Sequence, residues 1–194
     1  MSALLLSTAV VALAEIGDKT QLLALTLTLR FRKPLPIALA IVVATLANHA
    51  LAGAAGRFAA AAVAPDTMRW IIGCGFLVMA GWTLVPDEAD GLDKPPSRLG
   101  AFTTTLIAFF LLEMGDKTQA ATVALAAQYA SLVAVVAGST AGMLLANLPV
   151  VLLGNAAADR LPLRAIRIAA ASVFLVLGVL VLAEPWLGSV QGLA

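Results

Sequence analysis

Two short segments carry the charge that lies inside otherwise apolar sequence. Glu15–Gln21 reads EIGDKTQ and Glu113–Gln119 reads EMGDKTQ. Each holds two carboxylates with a glycine between them, one ammonium, a hydroxyl and a carboxamide. Each is flanked by at least eight apolar or neutral residues on both sides. A carboxylate in hydrocarbon is expensive, so such groups face an internal cavity and mark an ion or proton path. Each motif has formal charge −1, and the pair has −2, which one divalent cation cancels. On an unbroken helix, 100° per residue sets Glu15 and Asp18 about 60° apart and Lys19 about 40° beyond Glu15, all in one sector. A structural reading competes: Glu15–Lys19 and Glu113–Lys117 are spaced i, i+4, so each could be a salt bridge that packs helices. That reading leaves Asp18 and Asp116 unpaired, so the cation site is preferred.

Neighbouring residues add neutral donors. Thr20, Gln21, Thr118 and Gln119 offer oxygens either for ligation or for hydrogen bonds between helices. Gly17 and Gly115 each cost roughly 1 kcal/mol inside a helix relative to alanine. They permit a local break that frees carbonyls, or a close helix crossing, and the sequence leaves both open. Oxygen donors suit hard ions such as Ca²⁺, Mg²⁺ and Mn²⁺. Asn48 and His49 are further candidates, with Asn147 at the place equivalent to His49. His49 is the only histidine. It reads first as a hydrogen-bonded packing residue; as a ligand it would favour Mn²⁺ over Ca²⁺. Met114 aligns with Ile16 and reads as packing.

The elements that position these residues follow from composition. The chain has 194 residues, 61% hydrophobic and only 12% charged. Soluble domains carry about 25% charged residues, and a helical span takes about 20. The expectation is an all-α integral membrane protein, one transmembrane domain over residues 1–194. Six spans are predicted: Ala3–Leu29, Pro36–Gly56, Trp70–Val85, Gly100–Ala127, Leu132–Gly154 and Ala165–Leu182. The first and fourth are long enough to be tilted, bent or broken. Pro86–Arg98, with three prolines and six charges, reads as a solvated linker. Leu4–Ala14 resembles a signal peptide, but no base precedes the apolar run, which resumes after Thr20, so a retained first helix is expected. Cys74 is alone, which excludes a disulfide scaffold. Net charge +1 without a dense basic patch argues against nucleic acid.

The motifs match at six of seven positions with an offset of 98 residues. The same offset sets Arg69 on Arg167, Gly56 on Gly154, His49 on Asn147, and Phe76–Val78 on Phe174–Val176. Repeat one covers about 1–86, the linker about 87–98 and repeat two about 99–186. Three helices per unit is odd, so the second unit is predicted to enter the membrane from the opposite side, as an inverted-topology repeat. Loops one, three and five hold Arg30, Arg32, Lys33, Lys94, Arg98, Arg160, Arg164 and Arg167. Loops two and four hold only Arg57 and Arg69. The positive-inside bias predicts an inner-membrane protein with both termini outside the cytoplasm.

The paired E-x-G-D-K-T cassette, complete at Glu15–Thr20 and Glu113–Thr118, resembles the signature of the Gdt-type cation/proton antiporters. The resemblance covers essentially the whole chain. It implies that Glu15, Asp18, Glu113 and Asp116 bind the cation. It also implies Mn²⁺ or Ca²⁺ transport against protons, with manganese export in small bacterial members. The expected function is therefore a secondary transporter, not an enzyme and without a resident cofactor. Its expected partners are a divalent cation, protons and the lipid bilayer. Buried carboxylates hold protons or a divalent ion but not both comfortably, which suffices for exchange. Alternatives are a Ca²⁺/H⁺ antiporter with the same site, an intramembrane hydrolase using two buried acids, and a structural protein whose ion pairs fix helix register.

Overall fold

A computed structural model describes residues 2–85, 99–153 and 163–191. Those residues form eight helices and no strand: α1 Ser2–Glu15, α2 Lys19–Phe31, α3 Pro34–Ala62, α4 Pro65–Leu84, α5 Ala101–Glu113, α6 Lys117–Gln128, α7 Leu132–Leu153 and α8 Leu163–Gln191. The predicted linker, with Lys94 and Arg98, lies outside the described residues, as do Gly154 and Arg160. Four helices are long and apolar enough to cross a bilayer: α3, α4, α7, and α8 over Leu163–Glu184. α1 and α5 are shorter apolar helices.

Predicted spans one and four are each two helices, interrupted inside the motifs at Gly17 and Gly115. Prolines start α3 and α4 in the first turn, where their missing N–H costs nothing. α2 ends on Arg32 in the left-handed region (φ 52°), whose N–H bonds Thr28 O at 2.9 Å.

The burial pattern is that of a molecule turned inside out. Leu35, Phe58, Val78, Val133 and Leu152 are each more than two-thirds exposed. Meanwhile Glu15, Asp18, Asn48, His49, Glu113, Asp116, Lys117 and Asn147 are buried. Water would reverse this arrangement, because exposed apolar surface of this extent is unfavourable there, whereas hydrocarbon favours it.

With lipid outside, helices associate through close packing rather than through exclusion of water from apolar faces. α7 presents Gly138 and Gly142, spaced four apart, to α1. A Cβ on Gly142 would sit 2.5 Å from Thr8 O and 2.8 Å from Ala12 N. Thr8 Oγ1 ties this crossing by donating to Gly138 O at 3.0 Å. Ala40 and Ala44, 98 residues earlier, are the corresponding small buried residues of α3, and α3 packs on α5 as α7 packs on α1. α4 packs along α8. There Phe76 stacks on Phe174 with ring centroids 6.2 Å apart. These two residues occupy the same place in the two sequence repeats.

Candidate metal centre

Both motifs fold the same way. Gly17 (φ 82°) and Gly115 (φ 76°) turn the chain through the left-handed region that only glycine enters cheaply. Each glycine N–H leaves the helical ladder and is taken up by a glutamine four residues on. Gly17 N donates to Gln21 Oε1 at 3.0 Å, and Gly115 N donates to Gln119 Oε1 at 2.7 Å. The next residue, Asp18 or Asp116, becomes the N-cap of the following helix with φ −82° and ψ 166° in both copies. Each glutamine amide then reaches across to the other repeat. Gln21 Nε2 donates to Ala146 O at 2.9 Å, and Gln119 Nε2 approaches Asn48 Oδ1 at 3.4 Å. Asn48 and Ala146 are themselves 98 residues apart.

The breaks set helix ends inside the molecule. α1 and α5 finish at Glu15 and Glu113 with their carbonyl ends, while α2 and α6 begin just beyond with their amide ends. Carbonyl ends favour cations, and amide ends favour the aspartates that cap them. The single-sector geometry expected of an unbroken helix is therefore replaced. Two ion pairs run between motifs. Lys19 Nζ lies 2.9 Å from Asp116 Oδ1, and Lys117 Nζ pairs with Asp18 Oδ1. Asp18 and Asp116, which the sequence left unpaired, are thus each held by the lysine of the opposite repeat.

The acids converge. Glu15, Glu113 and Asp116 each offer an oxygen within 4.8 Å of the others', and all three residues are buried. Glu15 is also in electrostatic contact with Asp18. Asn147 Nδ2 donates to Glu15 Oε1 at 3.1 Å and to Met143 O at 3.1 Å. In the matching place, His49 Nε2 lies 3.9 Å from Glu113 Oε1. Thr118 Oγ1 donates to Glu113 Oε1 and is 3.4 Å from Asp116 Oδ2, whereas Thr20 Oγ1 has no hydrogen-bond partner.

Several buried atoms here lack hydrogen-bond partners among the described residues: Glu15 Oε2, Glu113 Oε2, Asn147 Oδ1 and both ring nitrogens of His49. A buried polar atom left unpaired costs about 1–3 kcal/mol, more if charged. A hard dication seated among them would satisfy carboxylate and amide oxygens together. His49 is buried, and neither ring nitrogen makes a hydrogen bond among the described residues. The two glutamines serve as clamps between helices, the role the sequence weighed equally with ligation.

The family model described as divalent cation/proton antiporter GDT1 matches residues 3–91 and again residues 101–189. The chain belongs to that family. The double match falls on the two halves that carry the two motifs. A relative in Vibrio cholerae serotype O1, named "Putative manganese exporter", is 53% identical over 178 residues, covering 91% of this chain and 88% of that protein. No solved structure matches. The resemblance seen in the paired cassette is therefore a true membership. The protein is a membrane transporter of the GDT1 type, and its substrate class is a divalent cation.

Sequence reasoning missed the crossed lysine–aspartate pairs. The signal available was the repeat itself, which gives every lysine two equivalent aspartates to choose from. It also missed Leu163, at the start of α8, which covers the first break: a Cβ on Gly17 would come within 2.9 Å of its Cδ2.

Proposed function

We propose that this protein exports Mn²⁺ from the cytoplasm in exchange for protons. The observation that carries this is the buried group of Glu15, Glu113 and Asp116, with oxygens that lack hydrogen bonds and a histidine without one beside it. Glu15, Glu113 and Asp116 hold the cation directly, and Asp18, paired with Lys117, completes the set of four acids by adding its charge beside them. Carboxylates that shed the metal take up protons, and those that bind it release them, so the two substrates compete for one site. His49 inclines the site toward Mn²⁺ over Ca²⁺, because imidazole suits transition metals and Ca²⁺ prefers oxygen alone. The printed name of the Vibrio relative supports the same ion.

In this reading α1 with α2, and α5 with α6, are broken single crossings, giving six spans in two inverted repeats. Rocking of the halves exposes the midplane site to each side in turn. Loops rich in arginine and lysine lie in the cytoplasm and both termini lie outside. A C-terminal reporter active only in the cytoplasm would refute that orientation.

The functional test uses inside-out vesicles loaded with a pH-sensitive dye and challenged with Mn²⁺, Ca²⁺ or Mg²⁺. Mn²⁺-driven proton movement is expected, saturating at lower concentration than with Ca²⁺. A response to Ca²⁺ alone would keep the exchange and overturn the ion. No proton movement with any metal would reject antiport and leave the hydrolase or structural readings.

A further inference from the structure

The crossed ion pairs are chemically alike but not physically alike. Lys117 is 4% exposed and its partner Asp18 0%, whereas Lys19 is 26% exposed. The surroundings differ in the same sense. The break at Gly17 is covered by Leu163, while a Cβ at Gly115 would meet nothing within 4 Å among the described residues. Met114, beside Gly115, is 57% exposed. Asp116 thus follows the open break and Asp18 the closed one. Asp116 also belongs to the group of three converging carboxylates, and Asp18 lies outside it.

We propose that Lys19 is an exchangeable counter-cation: its ammonium holds Asp116 until the transported ion arrives and displaces it, while Lys117 stays locked on Asp18. This deepens the transport reading above and rests on it. A dication held by Asp116 and an ammonium 2.9 Å from the same carboxylate are like charges at close range, and their repulsion is strong in a buried site. One must leave. The lysine stem is flexible and its ammonium hydrates well, so Lys19 swings into the opening that already exposes a quarter of it. When the metal departs, the ammonium returns, and the three acids are not left as bare buried charge. The lysine therefore works as a tethered substitute for the cargo, and the two motifs act unequally despite their matching sequences.

The test uses the full-length protein in detergent, with Mn²⁺ itself as the probe. Free Mn²⁺ is read by its paramagnetic resonance signal, and lysine exposure by reductive methylation and mass spectrometry. Mn²⁺ is expected to raise modification of Lys19 severalfold while leaving Lys117 and the surface residue Lys33 unchanged. Lys19→Gln, which removes the competitor, should bind Mn²⁺ roughly tenfold more tightly, in keeping with the coupling of close charge pairs. Lys19→Arg, a stiffer and better-matched partner for carboxylate, should bind it more weakly. If Mn²⁺ binds but modification of Lys19 is unchanged, or that of Lys117 rises instead, this proposal fails and the transport reading stands. Equal affinity of Lys19→Gln and the unaltered protein has the same consequence. The modification arm needs no variant, so a poorly folding substitution cannot obscure the result. Absence of any Mn²⁺ binding by the unaltered protein would overturn the transport reading and this proposal together.

Discussion

A buried ammonium needs its counter-ion, and this makes the two aspartates unequal. Removing one partner of a buried pair leaves an uncompensated charge and costs about 3–5 kcal/mol. Asp18→Asn takes its paired carboxylate from Lys117, which is 4% exposed, whereas Asp116→Asn takes it from Lys19, which is 26% exposed. Asp18→Asn should therefore lower the melting temperature in detergent far more than Asp116→Asn. Adding Lys117→Gln to Asp18→Asn should recover most of the loss. Equal melting temperatures for the two single variants would contradict this asymmetry. Repetition inside apolar sequence made the identity of these acids legible, because charge is rarely kept there without use. Their pairing was not legible. Spacing arguments assume a continuous helix, and the chain leaves the helix between Glu15 and Asp18. Gln21 and Gln119 were equally opaque: nothing in their spacing says that their carbonyl oxygens accept the amides that the glycines withdraw.

At the scale of the element, the decisive feature is that a span expected near Ala3–Leu29 is built from α1 and α2. A glycine in an apolar run fits both a break and a close crossing, and this molecule uses glycine both ways. Gly17 and Gly115 break helices at positive φ, whereas Gly138 and Gly142 let α1 approach the backbone of α7. Residue type cannot separate the two uses, because the difference lies in what packs alongside. The same facts separate the consequences of substitution. Alanine at positive φ costs about 1–2 kcal/mol. At Gly115 the new Cβ enters open space, so Gly115→Ala should cost only that strain. At Gly17 it also meets Leu163 at 2.9 Å, so Gly17→Ala should be the worse of the two. Trimming the obstacle with Leu163→Ala should bring Gly17→Ala back toward Gly115→Ala. Thermal unfolding of the three variants checks the order, and a Gly115→Ala protein less stable than Gly17→Ala would break the argument.

Across the whole molecule, contacts come in reciprocal sets: Lys19 with Asp116 and Lys117 with Asp18, Gln21 with Ala146 and Gln119 with Asn48, Glu15 with Asn147 and Glu113 with His49. One exchange of halves maps each contact on its mate. The offset of 98 residues foretold which residues are equivalent. It did not foretell that equivalents would meet, as Phe76 and Phe174 do, because meeting depends on how the halves are docked. His49 and Asn147 are where the reciprocity is chemically broken, since one carboxylate faces imidazole and the other a carboxamide. If that difference sets the choice of ion, moving it should move the choice. His49→Asn makes both halves present an amide, a set that suits Ca²⁺ better than Mn²⁺. Its proton exchange should shift severalfold toward Ca²⁺, with protein abundance unchanged. Restoring an imidazole in the opposite half, as His49→Asn with Asn147→His, should return the preference to Mn²⁺. Recovery will be partial, because Asn147 also donates to Met143 O and lies 3.3 Å from Met143 Sδ, so a ring placed there must displace that side chain. The ratio of Mn²⁺-driven to Ca²⁺-driven proton movement reads the outcome. If His49→Asn keeps the ratio of the unaltered protein, the histidine has no part in selectivity, and the carboxylates common to both halves must decide it alone.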